Sequence, residues 1–202
     1  WLEEFGFDGL RWDATAYIRN VHGHEGDPGS DIPDGWGLMR WINDEVSARF
    51  PWKIKIAEDL RGNAWITKPT GEGGAGFDAQ WDDHFVHPVR SAIITAGDGD
   101  RDMQAVADAL QFRTSGDAFE RVVYTESHDE VANGKARVPE EIAPGDAGSF
   151  FARKRAALGA ALVFTAPGIP MIFQGQEFLE DGWFDDHDPL DWRKAEDNRG
   201  TV

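Results

Sequence analysis

The chain contains no cysteine. This removes disulfides and thiolate-bound metal from consideration and favours a cytoplasmic location. It has no apolar run of about 18 residues and no signal-like start, so nothing in it is expected to span a membrane. Basic residues are scarce, 20 Lys and Arg against 37 Asp and Glu, for a net charge of −17. That balance argues against nucleic acid or an anionic membrane as a partner and is compatible with a neutral polymer. The glycine run Gly71 to Gly76 lacks the Lys-Ser/Thr pair of a phosphate loop, which argues against nucleotide binding. There is no internal repeat and no low-complexity linker. The chain opens on Trp1 rather than Met, and at 202 residues it is short of the roughly 250 of a complete (β/α)8 barrel. We expect a fragment, with residues 1–202 forming one partial domain.

What is present is an alternation of short apolar runs and helical stretches. Residues 5–13, 53–58, 77–81, 121–125 and 170–174 read as strands; the second alternates Lys53-Ile54-Lys55-Ile56 at period two. Residues 19–35, rich in Gly and Pro, read as a loop. Asp34 is placed as the cap of a helix of about 16 residues, with Leu38, Trp41, Ile42, Val46 and Phe50 on its buried face and Pro51 ending it. Further helices are expected near 83–96, 100–113 and 149–165. This order implies a parallel α/β sheet with helical crossovers, the later part of an eight-strand barrel, and two exposed apolar sheet edges.

Three acids sit at the ends of these strands: Asp13, Glu58 and Asp129. The C-terminal ends of barrel strands are where such folds gather their catalytic groups. Retaining glycoside chemistry needs a carboxylate nucleophile and a carboxylic acid about 5 Å apart. Arg11 precedes Asp13 by two residues, so in a strand both face the same side, and its charge favours the ionised form of a nucleophile. Glu58, closing an alternating strand beside aromatics, is the candidate acid/base. Asp129, next to His128, is placed to hold sugar hydroxyls and stabilise positive charge. Gln174, Gln176 and Glu177 are expected near the same site. Trp12, Trp81 and Trp183 are candidates for sugar contacts, whereas Trp36, Trp41 and Trp52 fit helix packing. His84 and His87, with Asp82 and Asp83, read as a solvated helix face rather than a metal site. No metal or cofactor is expected.

The segments Asp8-Gly9-Leu10-Arg11-Trp12-Asp13, Ile56-Ala57-Glu58-Asp59 and Ser127-His128-Asp129 together resemble the shared motifs of the α-amylase superfamily of glycoside hydrolases and transglycosylases. The tail Glu130-Val131 with Gly134-Lys135 is similar to that of glycogen and starch branching enzymes. So are Gly74-Ala75-Gly76-Phe77-Asp78 and Pro189-Leu190-Asp191-Trp192. Trp12 departs from the pattern, standing where a small apolar residue is usual. The resemblance implies the C-terminal part, about strands 4 to 8, of a (β/α)8 (TIM) barrel. It also implies Asp13 as nucleophile, Glu58 as acid/base, Asp129 as transition-state stabiliser, and Arg11 and His128 in the sugar site. The implied activity is transfer of α-1,4-glucan chains to form α-1,6 branches, with amylose, starch or glycogen as substrate. The alternatives are an α-amylase-like or trehalose-releasing hydrolase and a non-catalytic amylase-like subunit. Since the family's first motif is absent, the 202-residue chain is expected to be inactive alone.

Overall fold

The computed structural model describes residues 1–24, 28–132 and 134–199. Gly26, in the expected 19–35 loop, lies outside them. Five strands among the described residues form one sheet in the order β1 (Gly9–Trp12), β2 (Ile54–Ala57), β3 (Ala79–Trp81), β4 (Arg121–Val123) and β5 (Ile169–Pro170). The first three pairings are parallel, with Gly9 opposite Ile54, Ile56 opposite Ala79 and Gln80 opposite Arg121. Between them run α1 (Thr15–Arg19), α2 (Pro33–Arg49), α3 (Asp83–Ile94), α4 (Met103–Gln111), α5 (Val138–Ile142) and α6 (Phe150–Thr165), and α7 (Arg193–Asp197) follows β5. No helix among the described residues is long and apolar enough to cross a membrane.

All five strands fall inside the expected runs or start one residue outside them, but they are shorter; β5 keeps only two residues. No α-helix joins β2 to β3, in line with the glycine run at 71–76. The connection is an irregular loop with a single 3-10 turn at Thr70–Glu72. Its content of Pro69, Gly71, Gly73, Gly74 and Gly76 disfavours continuous helix.

The chain divides into two compact units. The first comprises Trp1–Asp83 and Arg113–Val122. Its core holds Met39, Ala57, Ile66, Ala75 and Phe77, with Trp12, Ile18 and Trp36 packed around them. Gly9 is required in β1 because a Cβ there would meet Ile54 O at 2.2 Å. The alternation in β2 does not mean one dry and one wet face. Lys55 and Ala57 are its buried residues, and Lys55 Nζ pairs with Asp78 at 2.8 Å. That pairing lets a charge lie within a sheet covered on both sides.

Helix α2 starts two residues earlier than expected, with Ile32 at the cap, Pro33 at its first position and Asp34 in the first turn. Its buried face is Met39, Asn43 and Val46, not the face of Leu38 and Trp41, both of which are exposed. The rotation follows from Asn43, whose side-chain amide donates to Ala75 O at 2.9 Å and turns that face toward the β2–β3 loop. Trp52, after Pro51, is exposed as well.

The second unit comprises His84–Phe112 and Val123–Val202. Phe85, Val89 and Ala92 of α3, Val106 and Ala109 of α4, Val123 and Val163 make its main core. Asp102 caps α4 by accepting from Ala105 N, and Ser149 caps α6 by accepting from Ala152 N. α6 buries small residues, Ala152, Ala156 and Gly159, and exposes Leu158 and Phe164. Trp1, Phe5 and Phe7 before β1 and Ile172 after β5 are also exposed.

A buried carboxyl organises the loop after β4. Glu126 accepts from Val138 N at 2.6 Å, and Arg137 Nη1 lies 3.6 Å from its other oxygen. Burial pushes this carboxyl above its ordinary value of 4.5, against the opposing effects of the Val138 amide and the Arg137 and Arg90 charges. A carboxyl raised in the folded state binds more protons than in the unfolded state between the two values, so its contribution is present below about 4.5 and is lost as pH rises through the folded value. Glu126→Gln keeps an acceptor for Val138 N–H and should flatten that decline. Urea midpoints across pH 4 to 8 check this; a slope equal to wild type would exclude Glu126 as its source.

Candidate active site

The turn after β1 is unusual. Asp13 is followed by Ala14 in the left-handed region at φ 48°, a conformation that costs a non-glycine residue about 1–2 kcal/mol. The turn aims Ala14 N–H at Glu58 Oε2, 2.6 Å away. Thr15 adds two bonds to the end of β2, since its N–H and its hydroxyl both donate to Glu58 O at 2.9 Å. Glu58 N donates back to Trp12 O at 2.9 Å. The ends of β1 and β2 are thereby fastened to each other.

Arg11 unites the two carboxylates. It donates to Asp13 Oδ1, and its other terminal nitrogen lies 2.9 Å from Glu58 Oε2. Its guanidinium stacks over the Trp81 ring, 4.5 Å from the centroid. Asp13 is open to solvent, with its side chain 77 % exposed, whereas that of Glu58 is only 14 % exposed. The structure therefore brings together Arg11, Asp13 and Glu58, all in the first unit. His128 and Asp129 lie in the second unit and form a pair of their own, Nε2 to Oδ2 3.3 Å, with both side chains about half exposed. The adjacent Glu130 is buried and ion-paired with Lys135 at 3.0 Å.

Several aromatic expectations change. Trp81 is buried beneath Arg11. Trp12 meets Phe77 edge-on at 5.7 Å, so its bulk, unusual for the motif, is absorbed by the core. Trp183 stays exposed. Gln176 bonds Thr125 Oγ1 at 2.8 Å and accepts from Phe173 N at 3.0 Å, which makes it a structural residue of the segment after β5. Asp82 is held by Arg121 at 2.8 Å, and His84 stacks on Phe112 with centroids 4.0 Å apart. Both have structural partners of their own.

Sequence reasoning missed the support behind the carboxylates. Asp59 is buried and takes two bonds from Arg19, Nε at 2.8 Å and Nη2 at 2.7 Å. Thr15 Oγ1 approaches the same carboxylate at 3.3 Å. The available signal was a second acid directly after Glu58, together with an arginine on the short helix after Asp13. Removing one partner of a buried ion pair costs about 3–5 kcal/mol. Asp59→Ala should lose stability in that range in a urea titration, and a loss below about 1 kcal/mol would show that the pair is not a strut.

The chain matches no protein-family model. It is 32 % identical over 207 residues to the 1,4-α-glucan branching enzyme GlgB of Methylococcus capsulatus, covering 98 % of this chain and 27 % of that protein. It is 31 % identical over 204 residues to the branching enzyme of Shewanella sp. strain W3-18-1, covering 95 % and 26 %. The chain thus spans about a quarter of the length of these relatives. In fold it resembles pullulanase from Anoxybacillus sp. LM18-11, with a TM-score of 0.63 at 23 % identity, over 100 % of this chain and 30 % of that one. Pullulanase from Bacillus acidopullulyticus gives 0.65 at 19 % identity, covering 100 % and 25 %. These likenesses show the fold, that of part of an amylase-type (β/α)8 barrel. Over nearly its whole length the chain is similar to a segment of 1,4-α-glucan branching enzymes, and it has the fold of part of an amylase-type barrel.

Proposed function

We infer that the complete protein is a 1,4-α-glucan branching enzyme working by retaining double displacement, and that residues 1–202 are part of its catalytic barrel. One observation carries the reading, the single Arg11 guanidinium bound to both Asp13 and Glu58. Two carboxyls on one guanidinium are close enough for the short separation of retaining enzymes. Their surroundings differ: the Asp13 side chain stands open to solvent, where a substrate can reach it, whereas that of Glu58 is largely buried.

Asp13 attacks the anomeric carbon of an α-1,4 linkage while Glu58 gives its proton to the departing 4-oxygen, leaving a glycosyl ester on Asp13. Glu58, now a carboxylate, takes the proton from the 6-hydroxyl of another glucan chain. That oxygen displaces Asp13 to make an α-1,6 branch with the original anomeric configuration. To His128 and Asp129 we assign, from the motif resemblance, the binding of sugar hydroxyls and, for the Asp129 carboxylate, the offsetting of positive charge at the anomeric carbon. This chemistry calls for no cofactor.

Incubation of the complete protein with amylose tests the choice of acceptor. Branching yields few new reducing ends at first and many after a debranching enzyme is added. A steady rise with nothing further released on debranching means that water is the acceptor and the protein is a hydrolase. Asp13→Asn should lower kcat by roughly a thousandfold or more. Because the side chain is 77 % exposed, folding stability should stay within about 0.5 kcal/mol of wild type. Wild-type turnover in that variant would remove Asp13 from the nucleophile's role.

A further inference from the structure

The loops that follow β1 and β2 do more than carry the two carboxylates. Within the first unit they enclose a cavity of about 390 Å³, inside the range of small-molecule binding pockets. Its walls combine the indoles of Trp36 and Trp65 with Arg19, Asp31 and Asn63, and Gly73 lies between the two indoles' attachments. Each ring is held in place. Trp36 Nε1 donates to Gly73 O at 3.3 Å. The backbone N–H of Trp65 donates to Asn63 Oδ1 at 2.8 Å, and Lys68 Nζ covers one face of its ring, 3.9 Å from the centroid. Yet Trp65 remains 48 % exposed. An indole fixed at a cavity rim and left half in water offers a flat apolar surface to whatever enters the cavity.

The lining also limits what the cavity can hold. Arg19 and Asp31 bring one charge of each sign, and the whole chain carries −17, so an anionic ligand is disfavoured and no local excess charge calls for a cation. A neutral polyol with an apolar face fits both parts of the wall. The C–H face of a pyranose ring packs on indole, and its hydroxyls bond a carboxylate, an amide or a guanidinium. Arg19 links this wall to the catalytic end, because the same guanidinium that lines the cavity holds Asp59, the neighbour of Glu58.

We propose that this cavity is a subsite for an α-glucan chain, with Trp65 as its stacking platform. The proposal rests on the glucan activity inferred above and adds a named place where a chain is gripped apart from the bond being cut. The test uses the complete protein in two forms. In an Asp13→Asn background, which halts turnover, maltohexaose is titrated by calorimetry. Trp65→Ala should weaken binding about tenfold, the worth of one aromatic stacking contact. In the active enzyme it should raise KM for amylose by a similar factor with kcat unchanged. Trp41→Ala, an exposed indole elsewhere on α2, should change neither. A thermal melt equal to wild type for Trp65→Ala excludes a folding defect. If the wild-type protein branches amylose while Trp65→Ala binds maltohexaose and turns over amylose as wild type does, the cavity proposal falls and the activity stands. If the wild type neither binds maltohexaose nor acts on amylose, both fall.

Discussion

The buried contact between Arg19 and Asp59 underlies the arrangement of the first unit. It joins the short helix after β1 to the residue after Glu58 through two charge-assisted bonds at 2.8 and 2.7 Å. Such pairs return little net stability, since desolvation consumes most of the attraction, but they penalise any geometry in which the partners separate. The turn between Asp13 and Thr15 is pulled against the end of β2, and the left-handed backbone at Ala14 is tolerated there. Ala14 N–H then reaches Glu58, and Arg11 can span both carboxylates. The same arginine is one wall of the cavity between the loops.

The scarcity of basic residues takes on a meaning in this light. Arg19, Arg90, Arg121 and Arg137 are all buried, and each meets an acid, Asp59, Glu141, Asp82 and Glu126 respectively. Arg90 also donates to Thr125 O at 2.9 Å, and Arg137 to Gln174 O at 2.8 Å. Planar guanidinium groups suit such sites because they satisfy carboxylates and carbonyls together while remaining charged. These four cations are thus spent inside the molecule. The acids in excess are left largely at the surface, where self-repulsion keeps such molecules apart in solution.

Much of this was legible in the sequence where a residue's role is local. Asp13 and Glu58 directly follow β1 and β2 as the sequence suggested, and the spacing of Arg11 from Asp13 placed both on one face; Asp129 instead lies in the loop beyond β4, which ends at Val123. The strand runs survived in shortened form because apolar β-branched stretches bounded by Gly and Pro leave few alternatives. What the sequence hid was set by distant partners. The buried face of α2 turns on Asn43 reaching Ala75, a bond across 32 positions. The burial of Lys55 depends on the counter-charge of Asp78, 23 positions away. Asp59 was overshadowed by Glu58, and no local pattern tells a substrate-facing acid from a strut.

The bond from Val138 N–H to Glu126 has a consequence for motion. It joins positions twelve apart and closes the loop bearing His128 and Asp129. A closed loop of that length has already lost the end-to-end entropy that an open one would keep. His128 and Asp129 therefore ride on a loop closed at its base by one buried carboxyl and held again by Arg137 N–H on Gly182 O at 2.7 Å and Phe184 N–H on Val131 O at 2.8 Å, so their carrier is fixed at several points rather than one.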